Sequence, residues 1–267
     1  MGSFPQSIVH YLPVTDHDER WGIVCTTAGY QNVPPGSPYP LTQHPDSYSF
    51  TRSRGRVLGE YQLLYIVSGQ GEFRSASSPA APVKAGTVVM LFPDEWHTYA
   101  PDPETGWEEW WVGFRGENID RRVAEGFFSP KTPLLHIGHS AGIVSCYQEI
   151  IRSAEEERKG FQQLVTGIVL HLLGSVLFKR DNLQYLDNPI VEKINRAREM
   201  MRRHIGDNLP PEEIARRLNI GYTWFRRTFR AYVGIAPAQY QLQLRHNKAR
   251  ELLTTTDRTV SEIAAEL

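Results

Sequence analysis

Thr223, Arg226, Arg227 and Arg230 fall on one side of any helix that starts at Tyr222, and Phe225, Phe229 and Tyr232 fall on the other. Three guanidiniums on one helical face fit phosphate oxygens and the O6/N7 edge of guanine, so the chemistry offered is recognition of a polyanion and its bases. On an isolated helix such a row is more often only a solvated face. The preceding residues argue for more. Pro210 and Pro211 open a helix, Glu212 and Glu213 lie at the positive end of its dipole, and Ile214, Ala215 and Leu218 make its inward face. Asn219-Ile220-Gly221 is a short turn in which Gly221 is expected to relieve the backbone. The second helix then runs from Tyr222 to about Val233 and ends at Gly234. A short helix, a tight turn and a basic second helix make a helix-turn-helix, whose second helix suits the major groove of double-stranded DNA.

A second constellation lies upstream. On a strand, Trp107, Glu109 and Trp111 share one face. A carboxylate between two indoles can hold a sugar, with flat rings over C–H faces and the carboxylate accepting from hydroxyls; His97 and Tyr99 add polar tips. The competing reading makes the tryptophans barrel core and turns Glu109 to a loop or an arginine. Metal chemistry is not expected. His97 has no second ligand at coordinating spacing, Tyr61-Gln62-Leu63-Leu64-Tyr65 contains no histidine, and Cys25 and Cys146 are two isolated thiols. With Glu109 and His97 alone to offer, no catalytic residues and no cofactor are assigned.

The elements that must position these residues form an α+β two-domain chain. Residues 1–138 read as short strands and turns, the pattern of a sandwich or barrel. Tyr61–Val67 is a strand, Ser68-Gly69-Gln70-Gly71 a hairpin turn into Glu72-Phe73, and Val83–Gly86 a turn feeding Thr87–Phe92, which stops at Pro93. Residues 139–180 read as a helical pair, Ile143–Glu157 and Phe161–Lys179, broken at Lys159-Gly160. Leu164, Ile168, Leu172 and Val176 predict one apolar face, which either packs on the barrel or leaves a seam for a homodimer; both can hold. Residues 181–188 form a linker, and 189–267 are all helical.

Charge divides the same way. Residues 1–186 carry a net −5 and residues 187–267 a net +4, within a chain whose total is −1. An acidic module joined to a basic one suits a partner that is a polyanion. Leu164–Phe178 is the longest apolar stretch, too short to span a bilayer comfortably, and it contains His171. No apolar run follows Met1-Gly2-Ser3-Phe4-Pro5, so a cytoplasmic protein without membrane attachment is expected.

From about residue 190 onward the chain resembles the DNA-binding domain of AraC-type (AraC/XylS) transcription regulators, in which one long helix joins two helix-turn-helix units. Pro237–Thr254 fits the long helix, with Arg245, Ala249, Leu252 and Leu253 where the family pattern has them. Glu213-Ile214-Ala215-Arg216-Arg217-Leu218 recurs 49 residues later as Glu262-Ile263-Ala264-Ala265-Glu266-Leu267, and Thr259–Ala264 resembles the entry to the second unit. That unit is incomplete at Leu267, so Ile263 and Leu267 are expected to lack a partner and the last helix to fray. The resemblance implies that Thr223, Arg226 and Arg227 face base edges, with Tyr222 and Arg230 at their flanks. Gly69-x-Gly71, Ala85-Gly86 and Phe92–His97 resemble a cupin-type barrel. AraC-type regulators of sugar use bind a small-molecule effector inside such a barrel. The resemblance therefore implies a saccharide held by His97, Tyr99, Trp107, Glu109 and Trp111, together with Arg54 and Arg56 if that segment is extended. It also sets His44-Pro45-x-x-Tyr48 beside the mouth.

Overall fold

Trp107–Arg115 sends alternate large side chains to opposite sides, and that alternation organises the N-terminal half around two apolar fillings. The computed structural model describes residues 7–40, 51, 53–185, 188–207 and 209–267. They divide into two units, Met1–Leu183 and Gln184–Leu267.

The first unit contains β1 (Ser7–Tyr11), the single-turn helix α1 (Asp16–Glu19), β2 (Val24–Val33), β3 (Tyr61–Ser75), β4 (Ala81–Lys84), β5 (Thr87–Leu91), β6 (His97–Pro101), β7 (Trp107–Arg115), α2 (Glu117–Ala124), β8 (Leu134–His136), α3 (Ala141–Glu156) and α4 (Phe161–Asn182). All strand pairing is antiparallel. The order is β1-β2-β7-β3-β5-β8, with β4 and β6 on the far half of β3. This is a cupin-like β domain. Trp110, Val112 and Phe114 face α3 and α4 and pack with Tyr65 and Tyr147. Trp107 and Trp111 face inward with Leu64, Phe73 and Tyr99.

Ser68–Gly71 is not the expected hairpin turn. β3 runs through it unbroken, with a register shift against β7 between Ile66 and Ser68. Gly69 has φ +78°, and a Cβ there would lie 2.1 Å from the Gly106 carbonyl oxygen. The glycines serve a bulge that bends one long strand from the β5/β7 sheet into the β4/β6 sheet, instead of reversing the chain.

On α4 the buried stripe is Val165, Val169, Leu172, Leu173 and Val176, while Leu164 is 52% exposed. Steps of four overshoot the 3.6-residue turn, so a row begun at Leu164 starts outside and precesses into the core. By length and composition α4 could cross a membrane, yet this stripe is part of the domain core. Gln162, at its N-terminal end, is buried and fully engaged. Its Oε1 accepts from the Cys25 amide (3.0 Å), and its Nε2 donates to the carbonyls of Cys25 and Pro13 (2.9 Å each), tying α4 to β2.

The second unit comprises α5 (Pro189–Arg203), α6 (Pro211–Arg217), α7 (Tyr222–Val233), α8 (Pro237–Thr255) and α9 (Val260–Glu266). Its core is Ile194, Ala197, Met201, Ile214, Ala215, Phe225 and Phe229. In the α6–α7 turn the left-handed residue is Asn219 (φ +53°), a residue type that tolerates this conformation. Gly221 has an ordinary φ of −66° as the N-cap of α7, with open space where a Cβ would stand, so the relief expected of it falls to Asn219. The last helix is formed, although its Val260 is 71% exposed and Leu267 borders an open apolar hollow with Leu242 and Leu253, the unpartnered face expected. Thr259 and Glu262 close a capping box at its start, and Ile263 is buried.

Candidate effector cavity and nucleic-acid interface

β7 and β2 supply the walls of an inward-facing polar cavity. Glu109 and Trp111 project from β7, Thr27 and Gln31 from β2, and Arg56 enters from the stretch before β3. Arg56 exchanges both backbone hydrogen bonds with His97 (2.9 and 3.0 Å), which fixes its side chain toward the interior. Its Nη2 donates to the Tyr99 hydroxyl (2.7 Å) and its Nε to His97 Nε2 (3.3 Å). His97 Nδ1 in turn donates to the Glu95 carbonyl (3.0 Å). Burial first, and then the adjacent Arg56 charge, push the imidazole down to about 4, so it is a neutral acceptor that orients the guanidinium.

Glu109 is 2% exposed. Burial raises its carboxyl to about 7, opposed by a hydrogen bond from Tyr39, the Arg56 charge and the Trp107 indole. Tyr39 Oη donates to Glu109 Oε1 at 2.8 Å. Oε2 makes no hydrogen bond of ordinary geometry, and neither does Trp107 Nε1. Trp111 lies across Gly29, its directly opposed residue on β2. A Cβ at Gly29 would stand 2.1 Å from the indole, so only glycine lets the ring lie flat there. The free volume left among these side chains is about 20 Å³, room for a single water.

The expected effector residues are therefore distributed unequally. Arg56, Tyr99, Glu109 and Trp111 line the cavity. His97 stands behind Arg56, and Trp107 is a buried wall packed edge-on against Tyr39 (ring centroids 5.7 Å). Arg54 does not join them. The segment is a turn, with Arg54 and Gly55 amides donating to the Thr51 carbonyl and Gly55 at φ +63°, so residues 54 and 56 do not share a face. Arg54 is exposed, and its carbonyl caps the Trp96 indole (3.0 Å). His44 and Tyr48 lie outside the described residues.

In the second unit, Thr223, Arg226, Arg227 and Arg230 are all exposed on α7, opposite the buried rings of Phe225 and Phe229. Arg216 and Arg217 on α6 are held by Glu213, at 2.6 and 2.9 Å. The three arginines of α7 have no ion pair among the described residues, so their donors face solvent. Tyr222 is half-buried; its hydroxyl is raised by a hydrogen bond to Glu212, which links the second helix to the first.

The chain matches the model of the AraC-like ligand binding domain over residues 35–173, and a helix-turn-helix domain model over residues 214–267. It belongs to the AraC family. AraC-family relatives include the Msm operon regulatory protein of Streptococcus mutans, 22% identical over 211 residues that cover 78% of this chain and 75% of the relative. The raffinose operon transcriptional regulatory protein RafR of Pediococcus pentosaceus is 22% identical over 228 residues, 81% of this chain and 79% of the relative. The structure of ToxT from Vibrio cholerae with a bound unsaturated fatty acid aligns over 99% of this chain and 87% of its own at 12% identity, with a TM-score of 0.31. The AraC-family protein is thus a transcriptional regulator that pairs a ligand-binding domain with a helix-turn-helix.

Sequence reasoning missed several residues of this regulator's cavity. Tyr39 sits in a Pro- and Gly-rich stretch with no periodic signal. Thr27, Gly29 and Gln31 are on β2, and only the β2–β7 register brings Gly29 opposite Trp111, Gln31 opposite Glu109 and Thr27 opposite Gly113. Gln62 lies within the predicted Tyr61–Val67 strand, read there only as a residue that is not histidine, and it carries its amide to Glu60 Oε1 (2.8 Å). On α7, Trp224 is 37% exposed beside the arginine row, an apolar residue that the basic pattern concealed.

Proposed function

We propose that this regulator controls transcription in response to a saccharide bound in the β domain, where Arg56, Tyr99, Glu109 and Trp111 form the first contacts and His97 and Trp107 support them. The observation that carries the reading is the buried Glu109 carboxylate, with one oxygen bonded to Tyr39 and no bond of ordinary geometry to the other, set beside a flat indole and a guanidinium. Sugar hydroxyls donate to carboxylates and accept from guanidinium, and their C–H faces cover indole rings. The relative that regulates a raffinose operon supports a sugar. On the DNA side, Thr223, Arg226 and Arg227 read base edges, while Tyr222 and Arg230 hold the flanking backbone.

The protein acts as a homodimer in the cytoplasm. The outer side of α4 presents Leu164, Gly167, His171, Gly174 and Phe178, a spacing near 3.5 residues, and both glycines have open space where a Cβ would point. A second helix can approach closely along such a seam.

Effector binding then shifts the protein between states with different operator affinity, which requires different sugar affinity in each. The test is calorimetry of the full chain against raffinose, galactose, sucrose and arabinose, with tryptophan fluorescence recorded in parallel. At least one sugar is expected to release heat and quench emission, and Trp111→Ala is expected to abolish the quench. No heat from any sugar overturns the saccharide reading.

A further inference from the structure

We infer that Tyr39 is a built-in occupant of the effector site: a ligand enters by displacing the phenol, and one of its own hydroxyls takes over the bond to Glu109. This rests on the reading of the cavity as the effector site. Space is the first argument. Free volume of about 20 Å³ admits a water and no sugar ring, so a side chain must leave before any such guest is seated. Position is the second. Arg56, Glu109 and Trp111 are mounted on paired backbone, whereas Tyr39 comes from a surface stretch in which Pro34, Pro35, Gly36 and Pro38 are exposed. The Gly36 amide to the Pro103 carbonyl (2.8 Å) anchors that stretch to the domain.

Tyr39 also borders a second space, a hollow of about 190 Å³ lined by Val33, Gly36, Ser37, Ala100 and Asp102. That hollow is room into which the ring can move. What it leaves behind defines the guest. The Glu109 carboxylate needs a donor, since Oε1 loses the Tyr39 hydroxyl and the Trp107 indole beside it makes no hydrogen bond of ordinary geometry. The Trp107 edge and the Tyr99 ring, 5.7 and 6.1 Å from the Tyr39 ring, need a flat apolar replacement. A ring carrying adjacent hydroxyls on one edge and C–H on its faces meets both needs. The phenol is the same arrangement in miniature, one hydroxyl on a flat ring.

Displacement taxes the guest by the fraction of time the site stands open. A hydrogen bond to a charged group, lost with the hydroxyl, corresponds to a factor of roughly 10 to 100 in that fraction.

The experiment uses p-cresol, the Tyr39 side chain as a free molecule, with Tyr39→Ala in the full chain. p-Cresol is expected to raise the melting temperature of Tyr39→Ala at millimolar concentration and to leave wild type unmoved. A folded Tyr39→Ala that p-cresol does not stabilise, or wild type stabilised equally, overturns the inference. Raffinose in the same assay separates the two claims. If p-cresol stabilises only the variant while neither raffinose nor the rest of the sugar panel binds either protein, Tyr39 is a plug and the saccharide reading fails. If Tyr39→Ala does not fold, Tyr39→Phe carries the test by hydrogen exchange. The amides of Gly36, Ser37 and Tyr39 are expected to exchange at least about 10-fold faster than in wild type, and unchanged rates overturn the inference.

Discussion

Replacing Glu109 by Gln should make the protein more stable at pH 8 and leave it nearly unchanged at pH 5. The carboxyl is raised from its ordinary 4.5 to about 7, chiefly by burial. The folded state therefore holds the proton more tightly than the unfolded chain does. Its contribution is fully present below the unfolded value and is lost as pH rises through the folded one, here between about 4.5 and 7. A displacement of that size amounts to about 3 kcal/mol above pH 7. Glutamine keeps the shape and can still accept from Tyr39, and the attraction of Arg56 and the Tyr39 bond are already contained in the net value of about 7. We therefore expect a net gain of about 3 kcal/mol at pH 8. His97 works in the opposite direction: buried neutral, with its value lowered to about 4, it withdraws stability as pH falls from 6.5. Because it is present in both proteins, it cancels in the difference. Urea titrations of wild type and Glu109→Gln at half-unit steps from pH 5 to 8.5, followed by tryptophan emission, measure this directly. A difference that stays flat across the range would refute the reasoning about the carboxyl's environment.

Three further outcomes follow from packing and from the two sites. Gly29→Ala should cost about 2 kcal/mol or more and displace the Trp111 indole, read as a shift in emission maximum together with lower stability, because a Cβ stands 2.1 Å from that ring. Gln162→Leu should cost about 3 kcal/mol in the first unit, since it strands the Cys25 amide and the Cys25 and Pro13 carbonyls in the interior; denaturant titration checks it. If the α4 seam forms a dimer, Gly167→Leu with Gly174→Leu should shift the mass by sedimentation to that of one chain while leaving the melting temperature nearly unchanged, as neither Cβ meets anything in the fold.

The C-terminal unit was almost fully legible in the sequence because its signals are local. The proline at the start of α6, the glycine that ends α7 (φ +90° at Gly234) and the Phe225/Phe229 spacing each act within a few residues. The misreading in its turn, Gly221 for Asn219, arose because asparagine and glycine compete for the left-handed position in a three-residue turn. The β domain was legible by strand and obscure by contact. Strand alternation put Trp107, Glu109 and Trp111 on one face, yet a bulge at Gly69 looks like a turn when only local residues are read. Residues paired across β2–β7 or β3–β5 carry no sequence mark of their partner. Arg54 and Arg56 show the limit most plainly: two alternate arginines share a face only in extended backbone, and Gly55 in the left-handed region turns one out and the other in. Tyr39 could not be found at all, since its role depends on where a loop lies.

The central claim is that the exposed arginines of α7 read a duplex. Fluorescence anisotropy of the full chain against a selected operator and its single-base variants, repeated at several salt concentrations, tests it most directly. The account predicts that Arg226→Ala and Arg227→Ala each lose discrimination of about 1–3 kcal/mol at one base pair. Arg230→Ala should weaken all duplexes alike and lower the salt slope by about one. Base preference left unchanged by both of the first two substitutions would contradict it.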